Sequence, residues 1–282
     1  MKSVVALANA LHGGTNVYKS RQDCLNVLRA VEALRPAWWT ASCSDFLQLT
    51  ENAKASADPA RRAGRSASSD STKRHAVVVV EGLDGTGKTL VTRTLAEKLH
   101  GVALCTPPTQ FSVIREAFRY QDEAVARAFY SAANYVAAVD IFEAAQTSVV
   151  VVDRWWCSTC AMALANTLTV ETLPPKGDAV YEWPADLAKP DAGFLLSVDE
   201  AVRVARIRKR SPEDDEERRL SAQSEMRRAA LEAYARTNIL SVVPAPSYRA
   251  AVNTILELLP KKGVAHRAVA FTEEELSSIA PF

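Results

Sequence analysis

Between Gly82 and Thr89 the chain reads GLDGTGKT, which satisfies every fixed position of G-x-x-x-x-G-K-[ST]. Glycines at these places let the backbone curl until several N–H groups point at one anion, and the following helix adds its N-terminus. The expected ligand is a nucleoside triphosphate. Gly82, Asp84, Gly85, Thr86 and Gly87 would form the cradle, Lys88 would reach the β- and γ-phosphates, and the Thr89 hydroxyl would hold Mg²⁺. A second pair, Asp153-Arg154, follows the apolar run Ser148–Val152. At the carboxyl end of a strand, an aspartate orients a divalent cation or its water, and an arginine forks onto phosphate oxygens.

Both constellations need strands to carry them. Val77–Val80 is a continuous β-branched run, as in a strand buried on both faces of a parallel sheet. Leu90, Val91, Leu95 and Leu99 then recur at helical spacing. Further strands are expected over Val102–Cys105, Ser148–Asp153, Gly193–Val198 and Ile239–Val243, with helices between them. The longest helix is predicted over Asp122–Ala145, with Val125, Phe129, Ala132, Val136 and Val139 as its core stripe. Tyr130 and Asn134, four apart, share another face. Cys157–Leu168 is predicted helical, and Thr169–Pro190, with Tyr181 and Trp183, reads as a long docked excursion. Asp199–Lys209 and a helix ending at Arg236 flank a highly charged turn, which reads as a mobile lid or, better on charge pattern alone, as a solvated helical hairpin with paired charges; a closing helix spans Ser247–Leu259.

With 282 residues and a net charge of +1, the chain has room for one large domain or one and a half ordinary ones, and no composition for a nucleic-acid surface. No apolar run reaches the length of a membrane-spanning helix. The odd cysteine count favours a reducing compartment, and Cys157-x-x-Cys160 is expected to be packing rather than redox or zinc chemistry. Residues 1–54 form an N-terminal extension or small module. Its first 22 residues hold Lys2, Lys19 and Arg21 but no acid, which suits a mitochondrial leader as well as a folded start. Residues 55–75, rich in Ala, Ser, Arg and Lys, are expected to be a flexible linker. Residues 76–260 are the catalytic candidate and 261–282 a tail.

EGLDGTGKT, FYSAANY, VVVDRWWCST and LAKPD before a strand together resemble the thymidylate kinase family of P-loop nucleoside monophosphate kinases. The helix RAFYSAANY, the excursion ending VYEWPADLAKPD and the turn Pro244–Ser247 are closest to its mitochondrial UMP-CMP kinase branch. The resemblance runs from about Ala76 to Leu259. It implies an α/β P-loop NTPase fold: a five-stranded parallel sheet flanked by helices, with a helical lid. It implies transfer of the ATP γ-phosphoryl group, with Mg²⁺, to UMP, CMP, dUMP, dCMP or dTMP. It implies that Asp84 binds the acceptor sugar, Tyr130 stacks on its base, and Ser158 and Met162 line its pocket. Asp153 and Arg154 would sit beside the transferred phosphate, Thr89 and Asp153 would hold the metal, and Pro246 and Ser247 would lie at the ATP nucleoside.

Two departures matter. Asn134 stands where thymidylate kinases place a base-reading arginine, and its amide can donate to an O4 or accept from an N4 amine. Thr109 aligns with the family's phosphate-gripping arginine, which leaves Arg115 as the substitute. Because Gly85 occupies a loop position where some members carry arginine, the missing charge is expected from Arg206, Arg210, Arg218 or Arg219. Two alternatives remain: a deoxynucleoside kinase, which needs a carboxylate base that Cys105-Thr106-Pro107-Pro108 lacks, and a non-catalytic nucleotide switch or scaffold. A homodimer is a candidate assembly. Localisation is expected to be mitochondrial, or otherwise cytoplasmic.

Overall fold

The computed structural model describes residues 2–53, 74–210 and 224–278. Three helices come first: α1 (Lys2–His12), α2 (Arg21–Ala33) and α3 (Ala41–Asn52). Then follow β1 (Val77–Glu81), α4 (Lys88–Lys98), β2 (Val102–Cys105), α5 (Ser112–Arg119), α6 (Glu123–Ala144), β3 (Val150–Asp153) and α7 (Trp156–Thr167). The rest is β4 (Ala192–Ser197), α8 (Glu200–Arg210), α9 (Ser224–Arg236), β5 (Ser241–Pro244), α10 (Tyr248–Leu258) and α11 (Glu273–Ser277).

The five strands form one parallel sheet in the order β2-β3-β1-β4-β5. The valines of β1 are buried because the strand is central and helices cover both faces. Strand alternation divides the sheet into two cores. Val77 and Val79 join α6, α7 and α9 on one face, while Val78 and Val80 join Val91, Leu95, Val252 and Ile255 of α4 and α10 on the other. The connection that leaves β1 runs to β2 on one side and the connection that leaves β3 runs to β4 on the other, so the crevice at the carboxyl ends of β1 and β3 is a topological switch point.

Residues 2–53 are built into the first core. Leu28, Val31 and Phe46 share one apolar cluster with Phe129 and Val79, and α2 packs along α6. Tyr18 donates its hydroxyl to Ala124 O at 2.8 Å. Asp186 of the excursion accepts from Arg21 N at 2.8 Å and from the Tyr135 hydroxyl at 2.7 Å, tying three elements together. This second cover changes α6. Val139 is exposed, contrary to the expected stripe, and Ala124, Ala128, Ala133 and Ile141 are buried instead, because α6 is packed by α2 on one side and α7 on another.

The linker 55–75 falls largely outside the described residues. Its last two positions are fixed: Arg74 pairs with Asp191 at 2.6 Å, and His75 N donates to Ala145 O. The excursion is docked as expected. Tyr181 is buried, and Trp183 Nε1 donates to Leu187 O at 2.7 Å. The lid expectation needs correction on its second helix. Ala229, Ala230, Ala233 and Tyr234 of α9 are buried against α7, so α9 is a core element rather than half of a free arm. The turn 211–223 lies outside the described residues.

Candidate active site

The phosphate loop joins β1 to α4. Gly82 lies at φ 150°, and a Cβ there would meet Thr86 Oγ1 at 2.9 Å and Leu196 O at 3.2 Å, so only glycine fits. Gly87, at φ 89°, caps α4. Thr86 is buried and donates its hydroxyl to Leu83 O at 2.8 Å. Lys88 is drawn into the loop, with Nζ 2.6 Å from Leu83 O and 3.9 Å from Asp84 Oδ1. Burial, and then the charge of Arg154, bring the Lys88 ammonium down to about 7.

Asp153 ends β3 opposite Val80 of β1. Thr89 Oγ1 donates to Asp153 Oδ2 at 2.6 Å, and Asp153 Oδ1 is buried with no hydrogen-bond partner. A hydroxyl and a carboxylate beside the loop are hard oxygen donors, and an unsatisfied buried oxygen asks for one more partner. Both fit Mg²⁺, which takes one or two protein oxygens and completes its shell with phosphates and water. No cluster of three His, Cys, Asp or Glu exists among the described residues that would hold a metal by protein ligands alone. Arg154 adopts φ 69°, uncommon for a non-glycine residue, and its N–H donates to Val80 O. Its guanidinium pairs with the Asp84 carboxylate and lies 3.3 Å from both Gly82 O and Ser158 Oγ.

The group beneath this turn is Glu81, which sequence reasoning passed over. Its carboxylate is fully buried and accepts from Trp155 N at 3.0 Å, Ser158 N at 3.2 Å and the Ser158 hydroxyl. The Tyr234 hydroxyl of α9 lies 2.8 Å from Ser158 Oγ. Burial raises the Glu81 carboxyl to about 7 despite these donors. A signal was present: an acid directly after four valines is out of place in a strand end buried on both faces unless partners wait for it.

Side chains of α5, α6 and α7 make a second set. The Tyr130 ring faces the guanidinium of Arg127 at 4.9 Å and that of Arg115, from α5, at 5.9 Å. Asn134 is buried one turn further along; its Nδ2 donates to Thr159 Oγ1 at 3.2 Å and its Oδ1 has no partner. Met162, one turn after Ser158, is half-buried against the core. Ser247 accepts from Ala250 N at 3.1 Å and so caps α10, while Arg206 Nη2 lies 3.2 Å from Pro246 O. Arg206 is therefore at the Pro246 turn. Arg210 closes α8, but its side chain and both Arg218 and Arg219 lie outside the described residues. Cys157 and Cys160 are buried thiols pushed up by burial, Cys160 to about 12, which makes them packing rather than nucleophiles.

Residues 80–255 match the sequence model of the thymidylate kinase family. This chain belongs to the thymidylate kinase family. Among curated relatives, human "UMP-CMP kinase 2, mitochondrial" is 39% identical over 189 residues, covering 65% of this chain and 42% of the relative. The chain thus spans less than half the length of that relative. Thymidylate kinase from Candida albicans superposes with a TM-score of 0.52 at 15% identity, over 71% of this chain and 96% of that one, a likeness of fold alone. The chain has the five-stranded parallel sheet that the resemblance implies, with the phosphate loop at the end of the central strand. No helix among the described residues is long and apolar enough to cross a membrane.

Proposed function

We propose that this chain transfers the γ-phosphoryl group of ATP to the phosphate of a pyrimidine nucleoside 5′-monophosphate, from the set UMP, CMP, dUMP, dCMP and dTMP. One observation carries this most directly. Asp84 pairs with Arg154 and lies 3.9 Å from Lys88, so two cations of the loop region meet at one carboxylate. On this reading Lys88 faces the donor, Arg154 and Arg115 face the acceptor phosphate, and Asp84 meets the acceptor sugar. Tyr130 stacks on the base, Asn134 reads its edge, and Ser158 and Met162 complete the pocket. Gly82, Gly85, Thr86 and Gly87 direct backbone N–H groups at the donor phosphates, and Pro246, Ser247 and Arg206 border the nucleoside.

The attacking phosphate oxygen is already ionised, so the residues have no strong base to supply. Their task is alignment and neutralisation of charge. Thr89 and Asp153 would hold Mg²⁺, which when bound neutralises charge on the phosphates. Glu81, sealed under the Arg154 turn and occupied by three donors, is not placed to take a proton from a sugar hydroxyl. That favours a phosphate acceptor over a nucleoside. The relative's name supports a mitochondrial setting as part of the same proposal.

ATP consumption measured in parallel against the five monophosphates, with uridine as a control, tests the activity. Turnover with at least one monophosphate and none with uridine is expected. Uridine turnover would replace the reading with a nucleoside kinase, and stimulation by no acceptor would leave a nucleotide-binding switch.

A further inference from the structure

Arg203 of α8 is only 3% exposed, although nothing in the phosphoryl-transfer scheme calls for an arginine there. Its Nη1 donates to the backbone carbonyl of Asp84 at 2.7 Å. Its Nε and Nη2 fork onto Glu200 at 2.8 and 2.9 Å, and Glu200 Oε1 also receives Arg227 Nε of α9 at 2.9 Å. The fork offsets the cost of burying the guanidinium and fixes its plane. The α8 backbone presses on the same stretch of loop. Gly85 lies at φ 81°, and a Cβ on it would come within 2.9 Å of both Arg203 O and Ile207 Cγ1.

We infer that Arg203 is a positioning residue that clamps the Asp84–Gly85 peptide of the phosphate loop and, through Glu200 and Arg227, fastens α8 and α9 to it. The inference rests on the proposed kinase reading. A peptide held at its carbonyl cannot rotate, so the Gly85 N–H keeps its aim and the Asp84 side chain keeps its station between Lys88 and Arg154. Gly85 then has a second meaning. The sequence treats it as a loop that lacks an arginine, whereas in the structure any side chain at this position would collide with α8. The glycine and Arg203 are one device. It also anchors α8, the helix that ends at Arg210, directly to the phosphate loop.

The test uses the full chain with Arg203→Ala, Arg203→Lys and Glu200→Gln. It reads kcat, KM for ATP and UMP, melting temperature and the Kd of a non-hydrolysable ATP analogue. Arg203→Ala is expected to lose about ten- to hundredfold in kcat and about tenfold in analogue affinity, since loss of a charged hydrogen bond lets the loop peptide turn. Arg203→Lys still offers Asp84 O a donor but loses the fork onto Glu200, so it is expected to recover part of the loss, about threefold or more in kcat over Arg203→Ala, whatever its melting temperature. Arg203→Ala that turns over within about twofold of wild type, or Arg203→Lys no better than Arg203→Ala, overturns the clamp. If Arg203→Ala does not fold, Glu200→Gln decides. A kcat lowered about fivefold at unchanged melting temperature supports the clamp, and wild-type kcat overturns it. If the wild-type chain phosphorylates no pyrimidine monophosphate, the kinase reading fails by itself. The clamp is then judged on analogue Kd, where equal values for wild type and Arg203→Ala overturn it.

Discussion

Thr89 Oγ1 and Asp153 Oδ2 are 2.6 Å apart across 64 positions of sequence, and the second oxygen of that aspartate is buried with nothing to bind. The hydroxyl comes from the first turn of α4 and the carboxylate from the end of β3, so the sheet register sets the pair. Asp153→Asn keeps the shape but removes the charge a divalent cation needs. It is expected to raise the Mg²⁺ concentration for half-maximal turnover by about ten- to hundredfold. An Mg²⁺ titration unchanged from wild type would remove Asp153 from the metal site.

Lys88 titrates near 7 in the nucleotide-free protein because burial and Arg154 disfavour its charge. At about pH 8 it is therefore mostly neutral, and triphosphate favours the ammonium. Binding of ATP is expected to take up a proton, and affinity is expected to fall as pH rises above 7. Calorimetry in two buffers of different ionisation enthalpy measures the uptake. Absence of uptake at about pH 8 contradicts the assignment, and Lys88→Ala is expected to abolish both uptake and transfer.

Glu81 carries the opposite shift, from 4.5 to about 7, caused first by burial. Its folded state holds the proton more tightly than its unfolded state. Its stabilising contribution is complete below about pH 4.5 and is lost as pH climbs through 7. Glu81→Gln is expected to flatten the decline in melting temperature over that window and to lower kcat by loosening the Arg154 turn. A mutant whose stability falls with pH as steeply as wild type would place the titration elsewhere.

The arginines of the charged turn divide by position. Arg206 lies at the Pro246 turn, so Arg206→Ala is expected to raise the ATP KM more than it lowers kcat. Arg210→Ala or Arg218→Ala is expected to cut kcat, by up to about a thousandfold for the residue that meets the moving phosphoryl group, with little change in ATP KM. Wild-type turnover in Arg206→Ala, Arg210→Ala, Arg218→Ala and Arg219→Ala alike would exclude this turn from the chemistry.

Sequence alone determined what is local. The phosphate loop is contiguous, its strand is marked by Val77–Val80 and its helix by Leu95 and Val91, and Asp153-Arg154 announces itself at the end of a second valine run. Parallel strands with helical crossovers then follow from alternation. Tertiary structure decided what depends on partners far along the chain: Glu81 meeting Trp155 and Ser158, Tyr234 reaching Ser158, and Arg203 finding Asp84 O across 119 positions. Val139 lies on the stripe that spacing predicts and is nonetheless exposed for the same reason. A single helix shows its stripe but not its neighbours, and α6 gained a second buried side only because α2 covers it. Spacing encodes which residues share a face; only packing supplies what that face meets, and burial of a charge is decided there.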